Sequence, residues 1–355
     1  MKTSFSSHRF RRGAMSRSIS LGIGLLAICL TVAAGVWWRS HEPSEFKKST
    51  DTAITLSPTD EAVEASDEFQ LKLKRERALA LILDDEVEWF ERVEAVRELP
   101  EYGVDETVLA SLYAYLRREA DQREEHWYVV ANEVMELLRK QNLDPESYSD
   151  EMLRLIGKSS VPPVTRDYAI QHVTQWIAHP DADLPVEQEV GFRDRVFREL
   201  LVELEAGRNR ELDLMGTGLT ALAEALSHGE FEQPVELEQE LADLVLKVAS
   251  GEHATTSVNR LSAIQVAAEM GLPETAEICR GILAISVKDA KSPSPAGGIN
   301  WSAPTDVQLS AVAALGLSGT GADISLLETV STYNEALIYA ARAAARRIEN
   351  REPKS

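Results

Sequence analysis

Apolar residues recur at intervals of three and four along most of the chain after Glu68. Two clear stripes are Val130, Val134, Leu137 and Leu138 and, further on, Leu237, Leu241, Leu244, Val245 and Val248. This spacing places the side chains on one face of a helix with about 3.6 residues per turn. We find no run with the two-residue alternation of a half-buried strand and no Asn-Gly hairpin turn. The pattern predicts an all-α protein of about a dozen helices.

Proline residues mark where the predicted helices begin or end. They follow Leu99, Asp144, Val161, His179, Gln233 and Leu272. The residue before a proline disfavours the helical conformation, so each of these positions predicts a helix boundary.

The longest apolar run lies near the N-terminus. Residues 18–38 read SISLGIGLLAICLTVAAGVWW and carry no charge. These 21 residues match the ~20 that a helix needs to cross the hydrocarbon core of a bilayer. Trp37 and Trp38 end the run, where aromatic rings favour the membrane interface. We therefore expect residues 18–38 to be a transmembrane signal-anchor helix.

Charge around this run predicts its orientation. The segment 1–17 contains Lys2, Arg9, Arg11, Arg12 and Arg17 and no acidic residue. A basic flank stays in the cytoplasm. We expect a single-pass protein of the inner (plasma) membrane, with a cytoplasmic N-terminus and a periplasmic or other extracytoplasmic C-terminal domain.

Two other interpretations of the N-terminal apolar run have less support. Cleavage of a signal peptide near Val32-Ala33-Ala34 is one alternative, but the apolar run is longer than the ~7–15 residues of a typical signal peptide. Lipid attachment at Cys29 is another, but Ile28 occupies a position that requires a small residue. The anchor remains the preferred interpretation.

Beyond the anchor, residues 39–67 are rich in Ser, Thr, Asp and Glu and lack a sustained apolar period. Such a segment cannot bury enough apolar surface to offset its ordering entropy. It is predicted to be a flexible linker. Residues 68–350 form the predicted helical domain, and residues 351–355 are a short tail.

An internal repeat appears in the C-terminal third. Val307–Leu315 aligns without gaps onto Leu337–Ala345, an offset of 30 residues. A turn at Gly316–Gly319 and a second helix at 323–330 lie between the two segments. Small residues at recurring positions let neighbouring helices approach closely and stack. We therefore expect Ala311 and Ala314 to face a neighbouring helix, and Ser310 to lie off that face.

This unit resembles the bacterial HEAT-like repeat, whose first helix ends Ala-x-x-Ala-Leu-Gly before a short turn and a leucine-bearing second helix. The resemblance is clearest over residues 255–350 and looser from residue 86 onward. It implies a HEAT-like α-α solenoid, or superhelix, preceded by one N-terminal transmembrane helix. Single-pass membrane-anchored proteins with a HEAT repeat domain are the group that the whole chain resembles.

Charge and cysteine content narrow the function classes. After residue 38 the chain carries 32 basic and 58 acidic residues, a formal charge of −26. A surface so acidic repels phosphate backbones, so no nucleic acid is expected as a partner. The two cysteines, Cys29 and Cys279, form neither a redox pair nor a metal site. Cys279 is expected to be a small buried apolar residue.

No motif predicts catalysis. Gly216-Thr-Gly218 matches part of a dinucleotide fingerprint, but no strand precedes it, so it is expected to begin a helix. His172 and His179 would lie ~10 Å apart along a helix, too far to share a metal. We find no nucleophile–base or metal constellation. The sequence therefore predicts no enzyme, no catalytic or metal-binding residue and no cofactor.

Trp301 is the candidate protein-contact residue. It lies in a loop, residues 286–305, rich in Pro, Gly and Ser, and insertions in repeat arrays often collect on the binding face. The alternative is that Trp301 packs into a groove of its own repeat. The predicted function is a non-enzymatic scaffold that binds another protein outside the cytoplasm. One alternative is an enzyme or lyase-like factor, as the resemblance to HEAT-like proteins that assist bilin attachment would imply. Another is a structural spacer without a dedicated ligand.

Overall fold

The computed structural model describes residues 60–119, 123–178, 186–210, 212–228, 235–253, 255–292 and 301–351. Asp60–Ser355 forms a compact unit of its own. The predicted anchor at 18–38 and residues 39–59 of the predicted linker lie outside the described residues. None of the described helices combines the length and the apolar composition needed to cross a bilayer.

Within these ranges every regular element is a helix, which confirms the all-α prediction. The helices are α1 Asp60–Leu83, α2 Trp89–Glu98, α3 Glu106–Leu116, α4 Trp127–Gln141, α5 Pro145–Gly157, α6 Pro163–Ala178, α7 Val186–Glu205, α8 Gly207–Arg210, α9 Leu214–His228, α10 Val235–Ser250, α11 Ser257–Glu269, α12 Thr275–Ala290, α13 Thr305–Ser318, α14 Ile324–Tyr333 and α15 Ile338–Arg351. Short 3₁₀ turns lie at Leu99–Tyr102, Gly321–Asp323 and Glu335–Leu337. Helix α1 includes residues 60–67, which the sequence assigns to the linker.

The helices stack in two rows. Row one consists of α2, α4, α6, α9, α11, α13 and α15, and each of its helices packs on the next. In row two, α5, α7, α10, α12 and α14 follow one another, while α1 and α3 pack on α2 and α4. Each pair buries its apolar face on its neighbours, which is the principle of a solenoid-like repeat array.

The predicted stripes form the core between the rows. Val130, Val134 and Leu138 of α4 are buried, as are Leu241 and Val245 of α10. Each stripe faces the opposite row and its own neighbours, and the polar side of each helix remains at the surface. This outcome confirms the periodicity from which the helices were predicted.

Local signals account for the helix ends. Asp144 caps α5 by accepting a hydrogen bond from the Ser147 backbone N–H at 3.0 Å, and Pro145 takes the first helical position, where its missing N–H has no consequence. Just before it, Asn142 ends α4 in the left-handed conformation with φ 45°. The boundary predicted from Asp144-Pro145 is therefore confirmed.

The C-terminal repeat has the predicted close approach of its helices. Ala311 and Ala314 of α13 are buried, and so are Ala341 and Ala344, their counterparts 30 residues later in α15. Gly316, however, belongs to α13 rather than to the turn. A Cβ at this position would lie 2.9 Å from the Cα of Ala344, so the glycine permits the approach of α15.

The prediction for Ser310 was wrong. Its side chain is buried, and its hydroxyl donates a hydrogen bond to the carbonyl of Leu261 in α11 at 3.1 Å. The reason is that α13 packs on α11, α12 and α15 together. A helix with neighbours on three sides has no single buried stripe, so a position off the alanine face is also enclosed.

Candidate functional site

Two neighbouring cavities open on row one. A cavity of about 660 Å³ lies between α2, α4 and α6, and one of about 710 Å³ lies between α6, α9 and α11. Gln171 and Gln175 of α6 line both cavities. We call the joined feature the central groove.

Charged side chains of the α2–α4 half of the groove are paired with each other. Arg97 of α2 donates two hydrogen bonds to the carboxylate of Glu133 in α4, at 3.0 and 2.9 Å. Glu136 binds both Arg139 and Lys140, at 3.0 and 2.9 Å. These contacts hold the long side chains in place along the wall and leave the groove polar without a strong net charge.

His172 of α6 lies at the floor of this half. Its Nε2 is 3.0 Å from Oδ1 of Asn132, and its Nδ1 is 3.3 Å from a carboxylate oxygen of Glu136. Burial lowers the pKa of His172 to about 4, although the charge of Glu136 acts in the opposite direction. The imidazole is therefore neutral at neutral pH. His179, which the sequence analysis considered with His172 as a possible metal-binding pair, lies outside the described residues.

The α9–α11 half of the groove presents small and hydroxyl side chains. Thr217, Thr220 and Ala221 of α9 face it together with Ser262 of α11. The hydroxyl of Thr220 donates to the carbonyl of Gly216 at 3.1 Å, within its own helix. A wall of this kind combines hydrogen-bonding oxygen atoms with little steric bulk.

A fully buried asparagine fixes this wall. The Asn259 Oδ1 accepts from the Gly216 backbone N–H at 2.6 Å, and its Nδ2 donates to the Leu212 carbonyl at 2.7 Å and to the Thr255 hydroxyl at 2.9 Å. The first turn of α9 is therefore attached to α11. Sequence reasoning placed Gly216 in a helix, which the structure confirms, but it missed Asn259. The available signal was an asparagine on the apolar side of α11, four and seven residues before Ala263 and Val266.

The far edge of the groove is acidic. Glu224 of α9 lines the larger cavity. Asp213, just before α9, lines the same cavity, and none of its described lining residues is basic. Across its length the groove thus changes from balanced charge pairs at α2 and α4 to the carboxylates of Asp213 and Glu224.

The other sequence candidates lie away from the groove. Trp301 is partly buried and is not among the residues that line the two cavities. Next to it, Ser302 donates from its backbone N–H and its hydroxyl to the carboxylate of Asp289, at 2.7 and 3.2 Å. Cys279 is buried, as predicted, and burial raises the pKa of its thiol to about 12. In the described part of the chain, no group of three or more His, Cys, Asp and Glu side chains could hold a metal ion.

Scans against protein-family models and against curated proteins return no match. A solved structure of human deoxyhypusine hydroxylase in complex with glycerol is similar to 82% of this chain and 99% of its own, with 11% sequence identity and a TM-score of 0.32. A likeness this weak carries no argument about activity or ligand.

Proposed function

We propose that the protein is a non-enzymatic, membrane-anchored scaffold that holds a segment of another protein in the central groove. The observation that supports this role is the groove itself. Two cavities of about 660 and 710 Å³ adjoin along row one and are lined by five of its helices, an arrangement that suits an extended chain rather than a compact small molecule.

The chemistry of the walls suits a polypeptide. Amide side chains such as Gln175 donate and accept hydrogen bonds, and the hydroxyls of Thr217 and Ser262 do the same. A peptide backbone offers both groups at every residue. The acidic edge at Glu224 favours a segment that carries a basic side chain at that end.

The scaffold would be a HEAT-like solenoid held outside the cytoplasm. Support for the HEAT-like assignment comes from the stacked rows and from the 30-residue register of Ala311 and Ala314 with Ala341 and Ala344. Support for the anchor is the uncharged run at residues 18–38 and the basic segment before it.

A topology experiment tests the anchor. A reporter fused after Ser355 should be active only outside the cytoplasm, and the protein should stay in the membrane fraction after an alkaline wash. A cytoplasmic reporter signal would contradict the orientation. A mature N-terminus near Gly35 would replace the anchor with a secreted protein.

A cross-linking experiment tests the groove. A photo-reactive amino acid replaces Gln175 in the full chain, expressed in its native membrane, and the matched control replaces the exposed Gln239 of α10 in row two. We expect one discrete adduct from position 175 and none from position 239. Filling the groove with Ala221→Trp should abolish the adduct. Equal cross-linking from both positions, or an adduct that survives the tryptophan, would contradict a role for the groove.

A further inference from the structure

The α9–α11 half of the central groove has a carboxylate at each end. Asp213 lies just before the first residue of α9, and Glu224 lies about three turns further along the same helix. The other described residues that line this cavity carry no charge. Thr217 and Thr220 lie between the two carboxylates at intervals of three and four positions, so all four side chains share one side of α9. The cavity therefore presents a neutral strip that begins and ends with a negative charge.

The helix sets the distance between the two carboxylates. Glu224 follows Asp213 by 11 positions, and a rise of 1.5 Å per residue places their backbones about 16 Å apart. An extended polypeptide advances ~3.3 Å per residue, so about five of its residues span this distance. Because side chains of an extended segment alternate between two sides, separations of four and six positions direct two side chains toward the same wall. A segment with basic residues at either separation matches both carboxylates.

Asp213 is held in position by α11. Its Oδ1 accepts a hydrogen bond from the Thr256 hydroxyl at 2.7 Å. Thr256 also caps α11, where its hydroxyl oxygen accepts a hydrogen bond from the Asn259 backbone N–H at 3.2 Å. Within the described residues no donor contacts Oδ2 of Asp213, so this oxygen can accept a hydrogen bond from a bound cation.

Apolar surface accompanies both carboxylates. Val258 is 43% exposed and lines the cavity two residues after Thr256, which contacts Asp213. Ala221 lines it one turn before Glu224. Lysine and arginine place their apolar stems on such surface while the charged head reaches a polar group. Each end of the cavity thus offers a basic side chain both an apolar contact for its stem and a carboxylate for its head.

Other cavities in the described part of the chain differ in charge. Basic and acidic lining residues are equal in number in the α2–α4 half of the groove, between α5 and α7, and between α14 and α15. The cavity between α10 and α12 in row two is also acidic, but Lys247 lies among its four carboxylates and it shares no lining residue with the groove. Within the groove, charge complementarity therefore selects a cationic occupant for the α9–α11 half alone.

We propose that the segment held in the central groove carries two basic side chains four or six positions apart, one bound at Asp213 and the other at Glu224. This inference rests on the function proposed for the groove and specifies the sequence pattern of its partner. The rest of the segment lies over the α2–α4 half, where Arg97 and Glu133 already pair with each other. That half adds contact area without a preference for charge.

Binding of synthetic peptides to the full chain, purified in a non-ionic detergent, tests the spacing. The peptides are blocked at both ends, consist of Ser, Gly and Ala, and carry two lysines at separations of one, four, six or ten positions. Fluorescence anisotropy at low salt measures Kd, because exposed ion pairs weaken as salt is added. Separations of four and six should bind about two- to fivefold more tightly than the other two, which engage only one carboxylate at a time.

Variants of the two carboxylates test the assignment. Asp213→Asn and Glu224→Gln should each abolish the preference for four and six positions, since only one carboxylate remains, and asparagine at position 213 keeps an acceptor for the Thr256 hydroxyl. The control combines Asp243→Asn with Glu277→Gln in the row-two cavity, and the preference should persist. Equal affinity for all separations would overturn the proposal, as would the absence of binding by any peptide. So would a preference that survives in Asp213→Asn or Glu224→Gln, or one that the control loses.

The cross-link from position 175 separates this inference from the function on which it rests. In the chain that carries both Asp213→Asn and Glu224→Gln, the yield of the adduct should fall. An unchanged yield would retain a groove that binds a segment and would remove the two basic contacts. The absence of an adduct from the unmodified carboxylates would contradict the groove function itself.

Discussion

Gly316→Ala provides the sharpest test of how row one is packed. In an exposed helix this change stabilises the fold by roughly 0.5–1 kcal/mol, because alanine has the higher helix propensity. At Gly316 the new Cβ would lie 2.9 Å from both the Cα and the Cβ of Ala344, well inside the ~3.5–4.0 Å of a normal separation between carbon atoms. Since one of these atoms is backbone, α13 and α15 must move apart, and overpacking of this kind destabilises a core by about 1–3 kcal/mol.

The net expectation for Gly316→Ala is a loss of about 1–2 kcal/mol in the free energy of unfolding. The assay is urea unfolding of the fragment 60–355, followed by circular dichroism. Gly281→Ala is the matched control, because Gly281 lies in α12 and a Cβ there has no atom within 4 Å. The control should be stabilised. Adding Ala344→Gly to Gly316→Ala should restore part of the loss, since the methyl group of residue 344 is removed while its backbone stays in place. A Gly316→Ala variant as stable as the Gly281→Ala control would refute the close approach of α13 and α15.

Three further predictions concern buried positions and use the same unfolding assay. Ala314→Glu should lower the free energy of unfolding by about 3 kcal/mol or more, because it buries an unpaired carboxylate; a change below about 0.5 kcal/mol would contradict the placement of Ala314. Asn259→Leu should lower it by about 2–4 kcal/mol, since the Gly216 N–H loses its acceptor; an unchanged urea midpoint would show that this bond is not formed. Burial lowers the pKa of His172 from 6.5 to about 4, so the unfolded chain binds more protons between these values and stability falls as the pH drops from 6.5 towards 4. His172→Gln should flatten this dependence of the free energy of unfolding on pH. An equally steep profile in the variant would show that other groups cause the dependence.

The helices themselves could be predicted from the sequence. Periodicity is a local property, because any helix that buries one side must repeat its apolar residues every three to four positions. Val130, Val134 and Leu138 show this directly. The boundary at Asp144-Pro145 is equally local, because cap and proline act within one turn. The burial of Ala311 and Ala314 was predicted correctly from the internal repeat. Their counterparts 30 residues later are buried in α15, which packs on α13.

The burial of Ser310 could not be predicted from such local patterns. Whether a side chain outside the main stripe is buried depends on how many helices surround its own. Three neighbours enclose α13, and two of them, α11 and α12, come from the part of the chain before it. A hydroxyl is acceptable there because the Leu261 carbonyl of α11 accepts its hydrogen bond at 3.1 Å. Nothing near Ser310 in the sequence specifies that carbonyl.

The central groove depends even more on the packing of the whole unit. The groove is lined by five helices. Within each helix its polar residues recur every three to four positions, but nothing in the sequence specifies that the polar faces of these helices adjoin. Its polar wall is built when Asn259 of α11 reaches the N–H of Gly216 in α9, 43 residues earlier.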